Sequence, residues 1–281
     1  TSEEFDSWGW RIPFWISILM VGVSYIIRKN MKESPLFAKA KKEGKTSTNP
    51  LKESFGNKYN FKFFLLALFG AVMGQGVIWY TGQFYAMSFM QKVMNIDSAQ
   101  VDSLMATSLF VATPLFVFFG WLSDKVGRKP IMMLGMLIAI LAYRPIYDRM
   151  FKLGDYSQKQ ELTDKTKMEP SFKILEGAKG DSIYTTTKEY ADGALYKEVI
   201  TKHMDNGKIV LDDKGKEKID TKITKTIDIK TKWTLAFWVF LQVVFVTMVY
   251  GPIAAFLVEM FPIRIRYTSM SLPYHIGNGI F

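Results

Sequence analysis

Ten residues, Gly120-Trp-Leu-Ser-Asp-Lys-Val-Gly-Arg-Lys129, put one carboxylate, one guanidinium and two ammonium groups between two long apolar runs. Asp124 and Arg128 can form ion pairs there, Gly127 can take the positive φ of a sharp reversal, and Glu259, at the end of a later apolar run, is the natural second carboxylate for Arg128. Lys125, Arg128 and Lys129 alone would be explained by the bias of basic residues toward the cytoplasmic side of a membrane; Asp124 and Glu259 would not. The chemistry open to these groups is ion pairing between the ends of apolar runs, with Gly120, Asp124, Gly127, Arg128, Lys129, Glu259 and Arg264 as the candidate residues.

Two further patterns carry polar groups into apolar sequence. At 100° per residue Gln75, Trp79 and Gln83 share one face of a helix and Gly70, Gly74 and Thr81 the opposite one. The small face permits close helix approach. The amide and indole face, with Tyr80, could line a cavity that grips carboxylate or carbonyl groups, or could hydrogen-bond a neighbouring helix. Ser271, His275 and Asn278 repeat this at i, i+4 and i+7. His275 is the one histidine of the two that falls in an apolar segment, so it is a proton-coupling candidate beside the plainer reading of a neutral hydrogen-bonding ring. Gln242 and Tyr250 are further cavity candidates, and Pro252 marks a kink. No phosphate-cradling glycine loop, metal-spaced His or Cys cluster or nucleophile beside a base is present, so neither an enzyme, a cofactor nor a metal is expected.

The elements that must position these groups are membrane spans. Apolar residues make up 49% of the 281, with 22 Phe and no Cys, yet mean hydropathy is only +0.07. The average hides apolar windows alternating with charged ones. A bilayer core needs about 20 apolar residues. Phe63 to Gln91, Ser103 to Ser123 and Trp233 to Val258 satisfy this at 29, 21 and 26 residues free of Asp, Glu, Lys and Arg. Ile12 to Ile27, flanked by Trp8 and Trp10, Pro130 to Tyr143, extended to Tyr147 if Arg144 snorkels, and Tyr267 to Phe281 complete six expected spans. Thr1 in place of Met and an apolar run at Phe281 predict a piece of a longer chain.

Charge sets the orientation. Arg28 to Lys62 holds ten Lys or Arg against three Glu, and the turns at 124–129 and 259–266 are basic too, so these loops are expected in the cytoplasm. Residues 148–232 then lie outside, with 18 basic against 16 acidic residues. The net charge of +10 is therefore spread over loops, which removes the basis for a nucleic-acid partner. The expected organisation is a span over 1–28, a basic cytoplasmic loop over 29–62, three spans over 63–147, an extracytoplasmic insertion over 148–232 and two spans over 233–281. Alternating Ile, Val, Thr and Lys at 183–187, 208–211 and 218–229, with turn signals at 205–207 and 212–215, predict strands in the insertion; a helix is expected around 188–204, giving a partly ordered α+β cap.

The run Gly120, Asp124, Lys125, Gly127, Arg128, Lys129 resembles the loop signature of the major facilitator superfamily. Three other stretches resemble its metabolite:proton symporter branch, whose members import compounds such as proline, betaine, shikimate, citrate and oxoglutarate. They are Trp10-Arg-Ile-Pro-Phe14 with Glu33-Ser-Pro-Leu-Phe37, Gln75 through Ala86, and Glu259-Met-Phe-Pro262 with Arg264 to Thr268. The resemblance implies an all-α integral membrane bundle, with spans six to ten and most of eleven out of twelve here, and it implies that the charged turn and Glu259 form a breakable cytoplasmic charge latch that favours the outward-open state. It implies a multi-pass cell-membrane carrier that takes up a small polar metabolite with protons by alternating access, whose N-terminal half is the missing partner across the cavity. A sugar-porter-like carrier shares the loop signature, and a transport-inactive sensor reading ligands through the external segment is the alternative of a different class.

Overall fold

The computed structural model describes residues 2–31, 34–157, 159–174, 179–205, 208–211 and 216–280. After short turns at Ser2–Ser7 and Gly9–Arg11 come α1 (Ile12–Asn30), α2 (Pro35–Lys42), α3 (Pro50–Gly56), α4 (Lys58–Val93), α5 (Ser98–Val126) and α6 (Arg128–Leu153). Five strands follow, β1 (Lys167–Ile174), β2 (Lys179–Glu189), β3 (Leu195–Asp205), β4 (Lys208–Ile209) and β5 (Ile219–Thr226), then α7 (Ile229–Met260) and α8 (Arg266–Ile280). The helix containing Gly9–Asn30, α4, α5, α6 and α7 are long and apolar enough to cross a membrane. The sixth expected span, Tyr267 to Phe281, is not among them: α8 begins one residue earlier, at Arg266, but has only 15 described residues.

α7 is the spine of the bundle. Val239, Gln242, Val243, Val246, Val249, Ile253 and Leu257 are buried along it between α4, α5 and α6. The close approaches are made by glycine. A Cβ on Gly251 would stand 3.0 Å from the Phe116 carbonyl oxygen and 3.3 Å from the Gly120 nitrogen, so α5 and α7 touch backbone to backbone there. α5 and α6 are joined by Gly127 alone, at φ +105° and ψ 144°, a conformation that side chains with a Cβ rarely adopt. α1 stands apart, with none of its residues buried.

α4 departs from a uniform 100° wheel. It winds as a π-helix over Leu68–Val72, Thr81–Tyr85 and Phe89–Val93. Each wide turn shifts the helix phase and frees a carbonyl. Two carbonyl oxygens of α4 accept from tyrosines of α6: the Tyr143 hydroxyl donates to the Ile78 carbonyl at 3.1 Å and Tyr147 to that of Thr81 at 2.7 Å.

Between α6 and α7 the chain forms an antiparallel sheet in the order β1-β2-β3, with β4 and β5 sharing the far edge of β3. The expected α+β cap is thus corrected: among the described residues from Gly154 to Asp228 there is no α-helix, only the 3-10 turn Thr163–Lys165. The stretch 188–204, expected helical, is the end of β2 and most of β3. Gly193, at φ +83°, reverses the chain, and Val199-Ile200-Thr201 favours the pleated backbone that pairs with both neighbours. The expected turns at Asn206-Gly207 and 212–215 lie outside the described residues. The helices also outrun the expected limits, α6 reaching Leu153 and α7 starting at Ile229, where Asp228 accepts the Thr231 N–H as N-cap.

The sheet is anchored on one end of the bundle. The Asp97 N–H donates to the Lys225 carbonyl at 2.9 Å, the Lys225 N–H to the Asn95 carbonyl at 2.7 Å, and Gln100 pairs with both backbone groups of Ile227. Lys159 bridges Asp192 and Asp228 at 2.6 and 3.1 Å. Burial works to raise the Asp228 carboxyl, but hydrogen bonds from Thr231 and Lys159 prevail and hold it at about 2. The basic turns lie at the opposite end, with α2 and α3.

Candidate functional site

At the basic end the latch residues meet. Arg128, the first residue of α6, points a terminal nitrogen at Asp124 Oδ1 at 3.1 Å and at Glu259 Oε1 at 2.9 Å. The one-residue link at Gly127 sets this geometry: it turns the chain so sharply that α6 begins beside the last turn of α5, with the end of α7 across from it. Arg128 is 20% exposed, the two carboxylates about 60%. Lys125 leaves the cluster and lies over the Trp121 ring at 4.1 Å, and Lys129 is exposed. Arg264 belongs to another contact, a fork of 2.7 and 3.0 Å onto both oxygens of Glu53 in α3. Ser54 adds a 2.7 Å hydrogen bond to Ser269. The central loop is thereby clamped to the start of α8, a contact that sequence reasoning missed. Glu53, one of three Glu in a basic loop, was the signal available for it.

Midway along the bundle, Trp79, Tyr80, Tyr250, Tyr274 and Asn278 line a cavity of about 240 Å³. The Trp79 and Tyr250 rings lie 4.7 Å apart at a tilt of 36°, Phe116 meets Tyr250 edge-on at 6.1 Å, and the Tyr250 and Tyr274 hydroxyls are 3.1 Å apart. Asn278 donates from its amide nitrogen to the Tyr274 carbonyl at 2.9 Å, leaving its oxygen for other donors. Three helices therefore present π faces, phenol groups and a carboxamide to one space. Tyr274 and Phe116 escaped the sequence reading, which searched for amides and imidazole; aromatic residues at helical spacing were the usable signal.

The other candidates are placed differently. Gln75 and Gln83 do not line this cavity. Both are buried in the bundle, where Gln75 is 2% exposed and, among the described residues, neither its oxygen nor its nitrogen has a partner. Gln242 is fully buried, its nitrogen reaching the Trp238 carbonyl at 3.4 Å and Met150 Sδ at 3.5 Å, a packing role between helices. His275 is exposed, its ring 5.9 Å from that of Tyr274 at a near-perpendicular angle, and Ser271 is half-buried outside the cavity. Among the described residues no group of three His, Cys, Asp or Glu is arranged to hold a metal ion.

The turn at 120–129 and the helices before and after it, up to residue 147, fall on a recognisable pattern. The family model described as Major Facilitator Superfamily matches residues 5–147, half of the chain. The chain belongs to the Major Facilitator Superfamily. Its members are membrane transporters and not enzymes, and this member is a multi-pass helical membrane protein. Among proteins it resembles are "Putative transporter YdfJ" of Escherichia coli (strain K12), 33% identical over 51% of this chain and 33% of that one, and "Putative proline/betaine transporter" of Staphylococcus aureus (strain COL), 26% identical over 54% and 33%. "Citrate-proton symporter" of Salmonella typhi is 23% identical over 56% and 35%. The chain spans about a third of the length of these curated relatives. No solved structure matches it.

Proposed function

We propose that this superfamily member forms the central loop and most of the second half of a secondary active carrier in the cell membrane. The carrier takes up a small polar metabolite together with protons by alternating access. The basic end of the bundle faces the cytoplasm and the sheet faces outward, as the excess of Lys and Arg in the short loops supports. The single observation that carries the substrate reading is the cavity of Trp79, Tyr250 and Tyr274 with Asn278. Aromatic faces attract a cationic or quaternary ammonium group, and the phenols and carboxamide can donate to a carboxylate. A betaine or amino acid offers both groups at once, which agrees with the printed name of the Staphylococcus aureus relative. Gln75 lies one turn from Trp79 on α4 and has unspent hydrogen-bonding capacity for a substrate that displaces the indole. The latch at Arg128 links the ends of α5, α6 and α7 and favours the state closed to the cytoplasm. His275 is the proton-coupling candidate of this half.

The test is uptake by the full-length carrier in proteoliposomes under an imposed pH gradient, with labelled glycine betaine, proline, citrate and a hexose. Uptake of a zwitterion that collapses without the gradient is expected. Trp79→Ala should weaken its half-saturation about 10-fold, which corresponds to about 1.4 kcal/mol of lost cation–π and contact energy. Gradient-independent hexose uptake, or a Trp79→Ala variant with unchanged affinity, would overturn the reading.

A further inference from the structure

A second cavity lies at the basic end, where the central loop meets the start of α8. It encloses about 410 Å³. Its polar lining includes Arg264, Arg266, Thr268, Thr46 and Ser47. Its apolar lining is Phe37, Pro50, Ile263, Ile265 and Met270. The two arginines of this wall differ in their charge balance. Arg264 is neutralised by Glu53 through both carboxylate oxygens. Arg266 spends only its Nε, on the Phe261 carbonyl at 3.0 Å, and among the described residues its terminal nitrogens meet no carboxylate. The half-buried guanidinium is thus fixed in orientation with its outer edge unpaired. Free backbone N–H groups in the first turn of α8 add to the positive potential. The adjoining α2 ends in Lys39, Lys41 and Lys42.

A held guanidinium edge with nearby hydroxyls suits the oxygens of a phosphate group. The apolar walls suit the glycerol and upper acyl carbons of an amphiphile. Tyr267 at the rim is 79% exposed, as interfacial tyrosines are at the level of lipid headgroups. We propose that this cavity binds the phosphate of an anionic phospholipid and ties the central loop to the membrane surface. The site rests on the reading of the basic end as the cytoplasmic interface and is independent of which substrate is carried. Bound lipid would bridge α2, the loop around Thr46 and α8, the same elements that the Glu53–Arg264 fork joins, so that headgroup composition would act on the clamp directly.

The test is native mass spectrometry of the purified, delipidated protein in detergent, titrated with phosphatidylglycerol or phosphatidylcholine. Phosphatidylglycerol should be retained at least fivefold better. Arg266→Gln should lose most of that preference, whereas Lys62→Gln, an equal charge change on an exposed residue at the same end, should keep it. The pair Thr46→Ala and Ser47→Ala leaves the Arg266–Phe261 hydrogen bond in place and should lower retention while the elution profile stays that of the parent. Equal retention of the two lipids, or Arg266→Gln matching Lys62→Gln, overturns the proposal. Resistance of bound phosphatidylglycerol to millimolar inorganic phosphate supports a lipid source; displacement by inorganic phosphate supports the phosphate site with a soluble source. Transport is not read in this experiment, so failure of the carrier reading and failure of the lipid site are separable.

Discussion

Breaking Arg128 from Glu259 should cost the closed bundle a measurable and salt-sensitive free energy. At their 2.9 Å separation, Coulomb's law gives about 1.4 kcal/mol in the dielectric of water and about 6 kcal/mol at an effective dielectric of 20. Glu259 is 59% exposed, which places the pair near the aqueous limit, and fixing two long side chains costs entropy. The expected coupling is therefore about 1 kcal/mol, a factor of about 5 in the equilibrium it biases. Arg128→Gln alone should cost somewhat more, because Asp124 loses its partner as well. The assay is a double-mutant cycle with Glu259→Gln, reading unfolding free energy in mixed micelles at low ionic strength and again at 1 M salt, where the Debye length falls to about 3 Å. A coupling near 1 kcal/mol that shrinks at high salt is expected. Single-mutant effects that add to within about 0.3 kcal/mol at low salt would refute the reasoning, since independent sites behave that way.

Two further outcomes are expected. The sequence has no cysteine, so single cysteines can be introduced without background, and a membrane-impermeant maleimide should label Ala40→Cys and Tyr184→Cys from opposite sides of sealed vesicles; labelling from one side sinks the topology. In the sheet, the His203 ring lies between Asp220 at 2.9 Å and Asp181 at 2.8 Å, and the hydrogen bond with Asp220, then that with Asp181, raises its pKa against a small opposing effect of burial. A raised histidine stabilises the fold fully below its unfolded pKa of about 6.5 and loses that contribution as pH climbs through the higher folded value. Hydrogen exchange across β2, β3 and β5 should therefore be better protected, relative to Asp220→Asn, at pH 5.5 than at pH 8.5; a pH-independent difference between the two proteins would contradict the clasp.

The parts of the protein written along the chain were legible before any coordinates. Apolar windows around Phe63–Gln91, Ser103–Ser123 and Trp233–Val258 announce helices because a span must satisfy its own backbone inside lipid, a requirement on consecutive residues. The reversal at Gly127 was legible for the same local reason, and Arg128 beside Asp124 is one helical turn of separation. The partnership with Glu259, 131 positions on, was guessed from charge at matching span ends. In the insertion, local propensity misled over 188–204: β3 is a strand because β2 and β5 flank it on both sides, and pairing of that kind is a tertiary gain that no window of sequence contains.

The sequence alone determined that this is a multi-pass membrane chain, which loops carry the positive charge, and where the latch turn falls. All three are sums over neighbouring residues. The tertiary structure decided which polar groups share a space. Gln75 and Gln83 turned into the bundle, while Trp79, one helical turn from Gln75, reached the cavity. Tyr274, not His275, came to face Tyr250, and Arg264 went to Glu53 while Arg266 kept a free edge. Each outcome depends on helix phase and on the packing of segments far apart in the chain, and an error of one residue in phase turns a side chain by about 100°, enough to exchange cavity for core.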